Sequence, residues 1–284
     1  MQQLEKILAP IDVHNDSKEQ IKAIIKLSEV FHSEVLLIYV VPDQEISVAT
    51  KDILVKSIMG SLNEIKEGLI DKQVKVRQPE VIFGPIVETI VQKATKEKVS
   101  LILIGDRQKK KREKFKLGVI AGQIIRESDK PVFVVNGEKE TFFSNILCPV
   151  DFSEPSKRAL HNAIFLAGKF NATLDILTVY EPLKYVSRWT NINLVAENAE
   201  RLKDIGMEMQ VFVAGFDLSG IVYNVEIQSG KIDAKIRNAI KRHGADLLIM
   251  GTNGRSGLSR FFMGSVTEKV IREMPCSFIT VKSV

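Results

Sequence analysis

Ile146-Leu147-Cys148-Pro149-Val150-Asp151 restates, 139 positions later, Ile7-Leu8-Ala9-Pro10-Ile11-Asp12. An apolar run closed by Pro, an apolar residue and Asp, met twice at a fixed offset, is the mark of an internal duplication. The correspondence continues into the next segment, where Ile21, Ile24, Ile25 and Ser28 fall opposite Leu160, Ala163, Ile164 and Ala167. Those positions make one face of a 3.6-residue period, so each copy predicts a helix that packs on a sheet. Ser153, Glu154 and Pro155 supply a start for that helix in the second copy.

Further along the offset becomes 146, with Leu101-Ile102-Leu103-Ile104-Gly105 opposite Leu247-Leu248-Ile249-Met250-Gly251 and Gly84 opposite Gly230. Ile124-Ile125-Arg126-Glu127 then matches Val270-Ile271-Arg272-Glu273, and the closing runs 132–135 and 278–281 align. The copies meet at a short polar stretch, 137–142, which divides the chain into domains 1–138 and 139–284. Strands are expected at 7–11, 35–41, 76–82, 101–104 and 132–135, and again at 146–150, 174–180, 221–227, 247–250 and 278–281. Their continuous β-branched character, with no polar alternation, fits strands covered on both faces. Strands alternating with helices imply two tandem, doubly wound, Rossmann-like α/β domains with parallel sheets.

At 284 residues, 45% hydrophobic and 26% charged, the chain has the size and composition of about two globular domains. No apolar run reaches the roughly 20 residues that span a bilayer, and the first residues lack the layout of a signal peptide. Cys148 and Cys276 form neither a disulfide framework nor a metal spacing, so the expected home is a reducing cytoplasm. The net charge of +5 comes from one stretch, 107–116, which carries seven Lys/Arg against one Glu. Without it 33 basic residues face 34 acidic ones, which argues against a nucleic-acid-binding face. The stretch itself reads as a solvated loop, with recruitment of an anionic partner as the alternative.

In parallel sheets of this kind ligands sit beyond the carboxyl ends of the strands, where the winding reverses. Asp151 follows the first strand of the second copy, and Gly251 follows the fourth. Gly251 and Gly254 are expected to turn with positive φ and let the backbone approach a ligand. Gly264 and Ser265 open a helix, whose first N–H groups make an anion site. Ser265 adds a hydroxyl donor and Arg255 a permanent charge, a set suited to a di- or triphosphate. Asp151 instead offers an acceptor for a ribose hydroxyl. Glycines that only make a turn, or a Gly-Ser that only caps a helix, would explain each feature singly. Their joint position at one sheet mouth favours a nucleotide.

The spacing Gly251-x2-Gly254-x9-Gly264-Ser265, after an apolar strand and a Pro-Val-Asp strand end, resembles the ATP-binding universal stress proteins. The similarity covers nearly the whole chain, as a tandem pair. It implies strand order 3-2-1-4-5, ATP, with or without magnesium, between the first and fourth strands, and domains paired through their last strands. It places Asp151 at the ribose, the backbone near Val179 at the adenine edge, and Met250, Gly251, Gly254, Arg255, Gly264, Ser265 and Val266 around ribose and phosphates. The first copy departs from the pattern, since Gln108 and Val119 stand where Gly254 and Ser265 stand in the second. It therefore reads as a structural partner with a vestigial site.

Pairing strands 132–135 and 278–281 within one chain would hide two apolar edges as an intrachain pseudo-dimer. Association into a homodimer stays open. No P-loop, nucleophile elbow, zinc-binding helix or clustered His/Cys set is present, so no catalytic residue is assigned. Two function classes follow: a nucleotide-binding regulatory protein of the stress response, or a slow ATPase or self-phosphorylating enzyme using the same pocket. Single-turnover assay with labelled ATP separates them. A nucleotide-independent scaffold would show no thermal shift with any adenine nucleotide.

Overall fold

The computed structural model describes residues 4–15, 17–42, 47–106, 118–137, 142–183, 193–252, 264–273 and 276–282. The basic stretch 107–116, most of the expected linker, and the positions Gln108, Gly254 and Arg255 lie outside them.

The first half runs β1 (Lys6–Pro10), α1 (Lys18–Phe31), β2 (Glu34–Val41), α2 (Val48–Ile70), β3 (Lys75–Val76), β4 (Glu80–Phe83), α3 (Ile86–Lys96), β5 (Leu101–Gly105), α4 (Val119–Glu127) and β6 (Val132–Val135). The second runs β7 (Asn145–Pro149), α5 (Glu154–Phe170), β8 (Thr173–Tyr180), α6 (Leu194–Ala214), β9 (Tyr223–Ser229), α7 (Ile232–Arg242), β10 (Leu247–Gly251), α8 (Ser265–Arg272) and β11 (Ser277–Val281).

All these strands lie in one sheet, ordered β3-β2-β1-β5-β6-β11-β10-β7-β8-β9, with β4 also on β2. Within each half the order is 3-2-1-4-5 and every pairing is parallel. Successive side chains of a strand point to opposite faces. Ile7 and Ala9 accordingly enter the core under α1, α2, α5 and α6, while Leu8 enters the core under α3, α4, α7 and α8. Both faces are covered, and so the strand sequences read as unbroken apolar runs.

The third strand of each half departs from the sequence expectation. The expected strand 76–82 is split into β3 and β4, because Pro79 has no N–H to give the ladder and interrupts it. The expected strand 221–227 is shifted to β9, because residues 218–221 form a turn in which Ile221 N–H bonds the Leu218 carbonyl and Gly220 takes φ 76°.

The halves join through β6 and β11, the one antiparallel pairing among the strand pairs described, with Phe133 opposite Ile279. The N–H of Asn136 donates to Ser277 Oγ at 3.0 Å across that seam. On the α1/α5 face the seam is closed by rings: Phe31 stacks on Phe165 at 5.4 Å, and Phe143 on Phe170 at 4.4 Å. Phe143 also meets Phe133 edge-on at 5.9 Å. The apolar core on each face of the sheet therefore draws on both halves. Among the described residues no helix is long and apolar enough to cross a membrane.

Candidate functional site

Strands β7 and β10 are paired only at Ile146–Leu247 and Leu147–Leu248, and then part. The gap that opens is the switch point of the second half, with helices leaving to opposite faces. Val150 N–H still reaches the Leu177 carbonyl at 2.8 Å, after which the chain turns away at Asp151. Asp151 Oδ1 accepts the N–H of Ser153 at 3.2 Å and its hydroxyl at 2.5 Å, so the carboxylate is fixed at the mouth by the residues that start α5. Ser153 is the N-cap of that helix and Pro155 stands in its first turn.

In a parallel strand successive residues direct their peptide groups to alternate neighbours. Leu177 faces β7, through its bond from Val150, and Tyr180 faces β9, through its bond from Gly230. Val179 therefore directs one donor and one acceptor toward the place where β7 has already ended. On the other side of the gap Thr252 N–H bonds the Val281 carbonyl at 3.0 Å. The carbonyl of Gly251 consequently faces the gap.

Helix α8 begins at Ser265 with Gly264 as N-cap, and no side chain caps it. Its first bond inside the helix is Glu268 N–H to the Gly264 carbonyl at 2.9 Å, so the N–H groups of Ser265, Val266 and Thr267 have no partner within the helix. Gly264 N–H bonds the Thr252 carbonyl at 2.7 Å, and Thr267 Oγ1 donates to the Gly251 carbonyl at 3.0 Å. These two bonds tie the start of α8 to Gly251 and Thr252 and bring the positive end of the helix to the end of β10.

The result is a cavity of about 210 Å³ at the gap. Its apolar wall comes from Leu177, Val179, Ile232, Ile236, Met250 and Val266, and its polar rim from Asp151, Ser156, Gly251, Gly264, Ser265 and Thr267. The volume is below the roughly 300–1,000 Å³ of sites that enclose a drug-sized ligand. Of the residues singled out in the sequence, Asp151, Val179, Met250, Gly251, Gly264, Ser265 and Val266 are brought together here, while Gly254 and Arg255 lie outside the described residues.

One expectation needs correction. Gly251 does not take positive φ; it ends β10 in strand conformation. Glycine is required there by space, since a Cβ would lie 2.8 Å from Pro155 Cβ. Sequence reading also missed Ser156, Ile232, Ile236 and Thr267. The i, i+4 pair Ile232 and Ile236 on amphipathic α7 was the available signal.

The first half has the same gap, between β1 and β5, closed in another way. The amide of Gln20, 4% exposed, donates to the Pro10 carbonyl at 2.9 Å and the Leu103 carbonyl at 3.1 Å, bridging the parted strands. Its counterpart in the second half is Ala159, which leaves the gap unbridged by that position. Asp12 is engaged by its own turn, accepting His14 N–H at 3.1 Å and the Asn15 amide at 2.6 Å. Asp106, buried, replaces Thr252, a carboxylate in place of a hydroxyl. Val119, 77% exposed, and Ala121 replace Ser265 and Thr267 and offer no hydroxyl.

The model of the Universal stress protein family matches this chain twice, over residues 3–136 and 143–282. A universal stress protein of Methanocaldococcus jannaschii is 29% identical over 150 residues, which cover 50% of this chain and 84% of that protein. In three dimensions the chain superposes on the crystal structure of a universal stress protein from Archaeoglobus fulgidus with a TM-score of 0.78, 23% identity and 99% of each chain covered. That likeness extends to the tandem arrangement of the fold.

Proposed function

The chain belongs to the universal stress protein family as a tandem two-domain member, and from that premise we propose that it is an ATP-binding regulatory protein of the cytoplasmic stress response. One nucleotide occupies the second half, residues 139–284, in the gap between β7 and β10. Asp151 accepts a ribose hydroxyl, and the peptide groups of Val179 meet the adenine edge with one donor and one acceptor. Met250 and Val266 flank the sugar and base. Gly251, Gly264 and Ser265, with Gly254 and Arg255, surround the phosphates. Asp151 is the single carboxylate among the described residues that line the cavity, so magnesium accompanying the phosphates would arrive bound to them. The first half, 1–138, serves as structural partner.

The observation that carries this reading is the meeting of opposite chemistries on one cavity: the uncapped N-terminus of α8 and the Ser265 hydroxyl on one side, the Asp151 carboxylate on the other. Donors for a phosphate chain and an acceptor for a sugar, joined by an apolar wall, are the requirements of a nucleotide. Titration calorimetry with ATP tests it. The expected stoichiometry is one per chain. A hydrogen bond to a charged group contributes roughly 1.5–3 kcal/mol, so Ser265→Ala should weaken ATP about 10- to 150-fold, while Val119→Ser should leave the titration unchanged. A stoichiometry near two, or an unaffected Ser265→Ala, overturns the assignment.

A further inference from the structure

We infer that Thr267 is a positioning residue for the phosphate end of the site, a latch that holds α8 against the end of β10 so that its N-terminal N–H groups point into the gap. This rests on the nucleotide reading for its functional meaning, but the latch itself is a contact within the chain.

Thr267 is the third residue of α8 and is 5% exposed. A Ser or Thr hydroxyl commonly bonds its own or a neighbouring backbone group. That of Thr267 bonds a different element instead, the Gly251 carbonyl sixteen positions earlier, at 3.0 Å. The acceptor faces the gap, where no strand continues to pair with it. Beside it, Gly264 N–H bonds the Thr252 carbonyl at 2.7 Å. Two bonds from the start of α8 thus clamp two consecutive carbonyls at the end of β10.

The duplicated half provides the contrast. There the equivalent of Thr267 is Ala121, which has no donor, and the gap is bridged from the opposite face by Gln20. In the second half Gln20 is replaced by Ala159 and Ala121 by Thr267. The two exchanges are complementary. One half locks its gap with an amide that fills it; the other locks it from the rim with a hydroxyl and leaves the space open. A ligand gap that must stay open yet keep its anion-binding helix in register needs the second arrangement.

The test uses the full chain with Thr267→Val, which keeps the shape and removes the donor, and Thr267→Ser, which restores it. In the absence of nucleotide, hydrogen exchange at the Gly264 amide should accelerate at least fivefold in Thr267→Val, return toward the parent rate in Thr267→Ser, and leave Val270 and Ile271 unchanged. In calorimetry Thr267→Val should weaken ATP at least fivefold while adenosine, bound by the base and ribose contacts, changes less than twofold. Unchanged exchange at Gly264 overturns the latch. Faster Gly264 exchange with equal losses for ATP and adenosine confines it to a structural role and overturns the positioning of phosphates. If the parent protein binds no adenine nucleotide the proposed function fails, and the positioning role fails with it, while the exchange result still decides the latch.

Discussion

Gly251 stands hard against Pro155: a Cβ on Gly251 would lie 2.8 Å from Pro155 Cβ and 2.9 Å from its carbonyl carbon. The fourth strand of the second half and the first turn of α5 are thereby packed backbone to backbone at the mouth of the site. The equivalent glycine of the first half, Gly105, would place its Cβ 2.9 Å from Gln20 Oε1. That neighbour is the far end of a side chain, where Pro155 is rigid. Gly251→Ala should therefore destabilise by about 1–3 kcal/mol, as overpacked sites do, and Gly105→Ala by less. Urea midpoints of the two variants check the order. Equal losses would mean that β10 and α5 can separate freely, and that the mouth is softer than its packing indicates.

The sequence carried this packing only in disguise. A glycine after an apolar strand invites an explanation by positive φ, whereas Gly251 is extended and Pro155, ninety-six positions earlier, sets the requirement. Strands such as β1, β5, β7 and β10 were legible because burial on both faces leaves an unbroken apolar run. The outer strands were not. Tyr223, Asn224 and Val225 begin β9 exposed, so composition does not mark its start, and Arg77, Gln78, Pro79 and Glu80 interrupt the apolar residues of 76–82. At the site, Asp151, Gly264 and Ser265 could be read from residue type and spacing. The exchange of Gln20 and Ala121 for Ala159 and Thr267 could not, because each residue is ordinary in its own helix and acquires meaning only across the gap.

Two carboxylates of the second half predict opposite responses to acid. Burial pushes Asp246 above the ordinary range, against the hydrogen bond it accepts from Ser144 N–H at 3.0 Å and the charge of Lys26. A raised folded value favours the fold below the ordinary Asp value of about 3.9, and that contribution is lost as pH rises through the folded value. Charged Asp246 is thus a liability at neutral pH, and Asp246→Asn should be at least as stable as the parent there. Glu226 is pushed up by burial, but hydrogen bonds from Gln228 and His243 and the charge of Arg242 hold it below the ordinary range. Its contribution is present above about pH 4.3 and lost as pH falls through the folded value. Glu226→Gln should lose stability at neutral pH and approach the parent in acid. With the side chain 33% exposed the loss should stay below about 1 kcal/mol. Denaturant midpoints between pH 3 and 7 read both; parallel pH profiles for the two variants would contradict the assignment.

Gln20 makes the last test, because its amide is the bridge that distinguishes the closed gap from the open one. It is buried, and one nitrogen donates to the carbonyls of Pro10 and Leu103, on strands that have already parted. Neither carbonyl has a neighbouring strand on that side to replace the lost donor. Gln20→Ala, which copies Ala159, should leave both deprived and cost about 2–6 kcal/mol, each buried acceptor contributing roughly 1–3. It should not create a second nucleotide site, because Asp106, Val119 and Ala121 still stand where the second half has Thr252, Ser265 and Thr267, a carboxylate and two apolar side chains in place of three hydroxyls. The pairing of results matters more than either alone. A large drop in the urea midpoint with calorimetric stoichiometry still at one assigns Gln20 to the architecture of the gap. A stoichiometry rising toward two would instead make Gln20 a plug in a site that otherwise keeps its capacity to bind, and the first half could no longer be regarded as a structural partner alone.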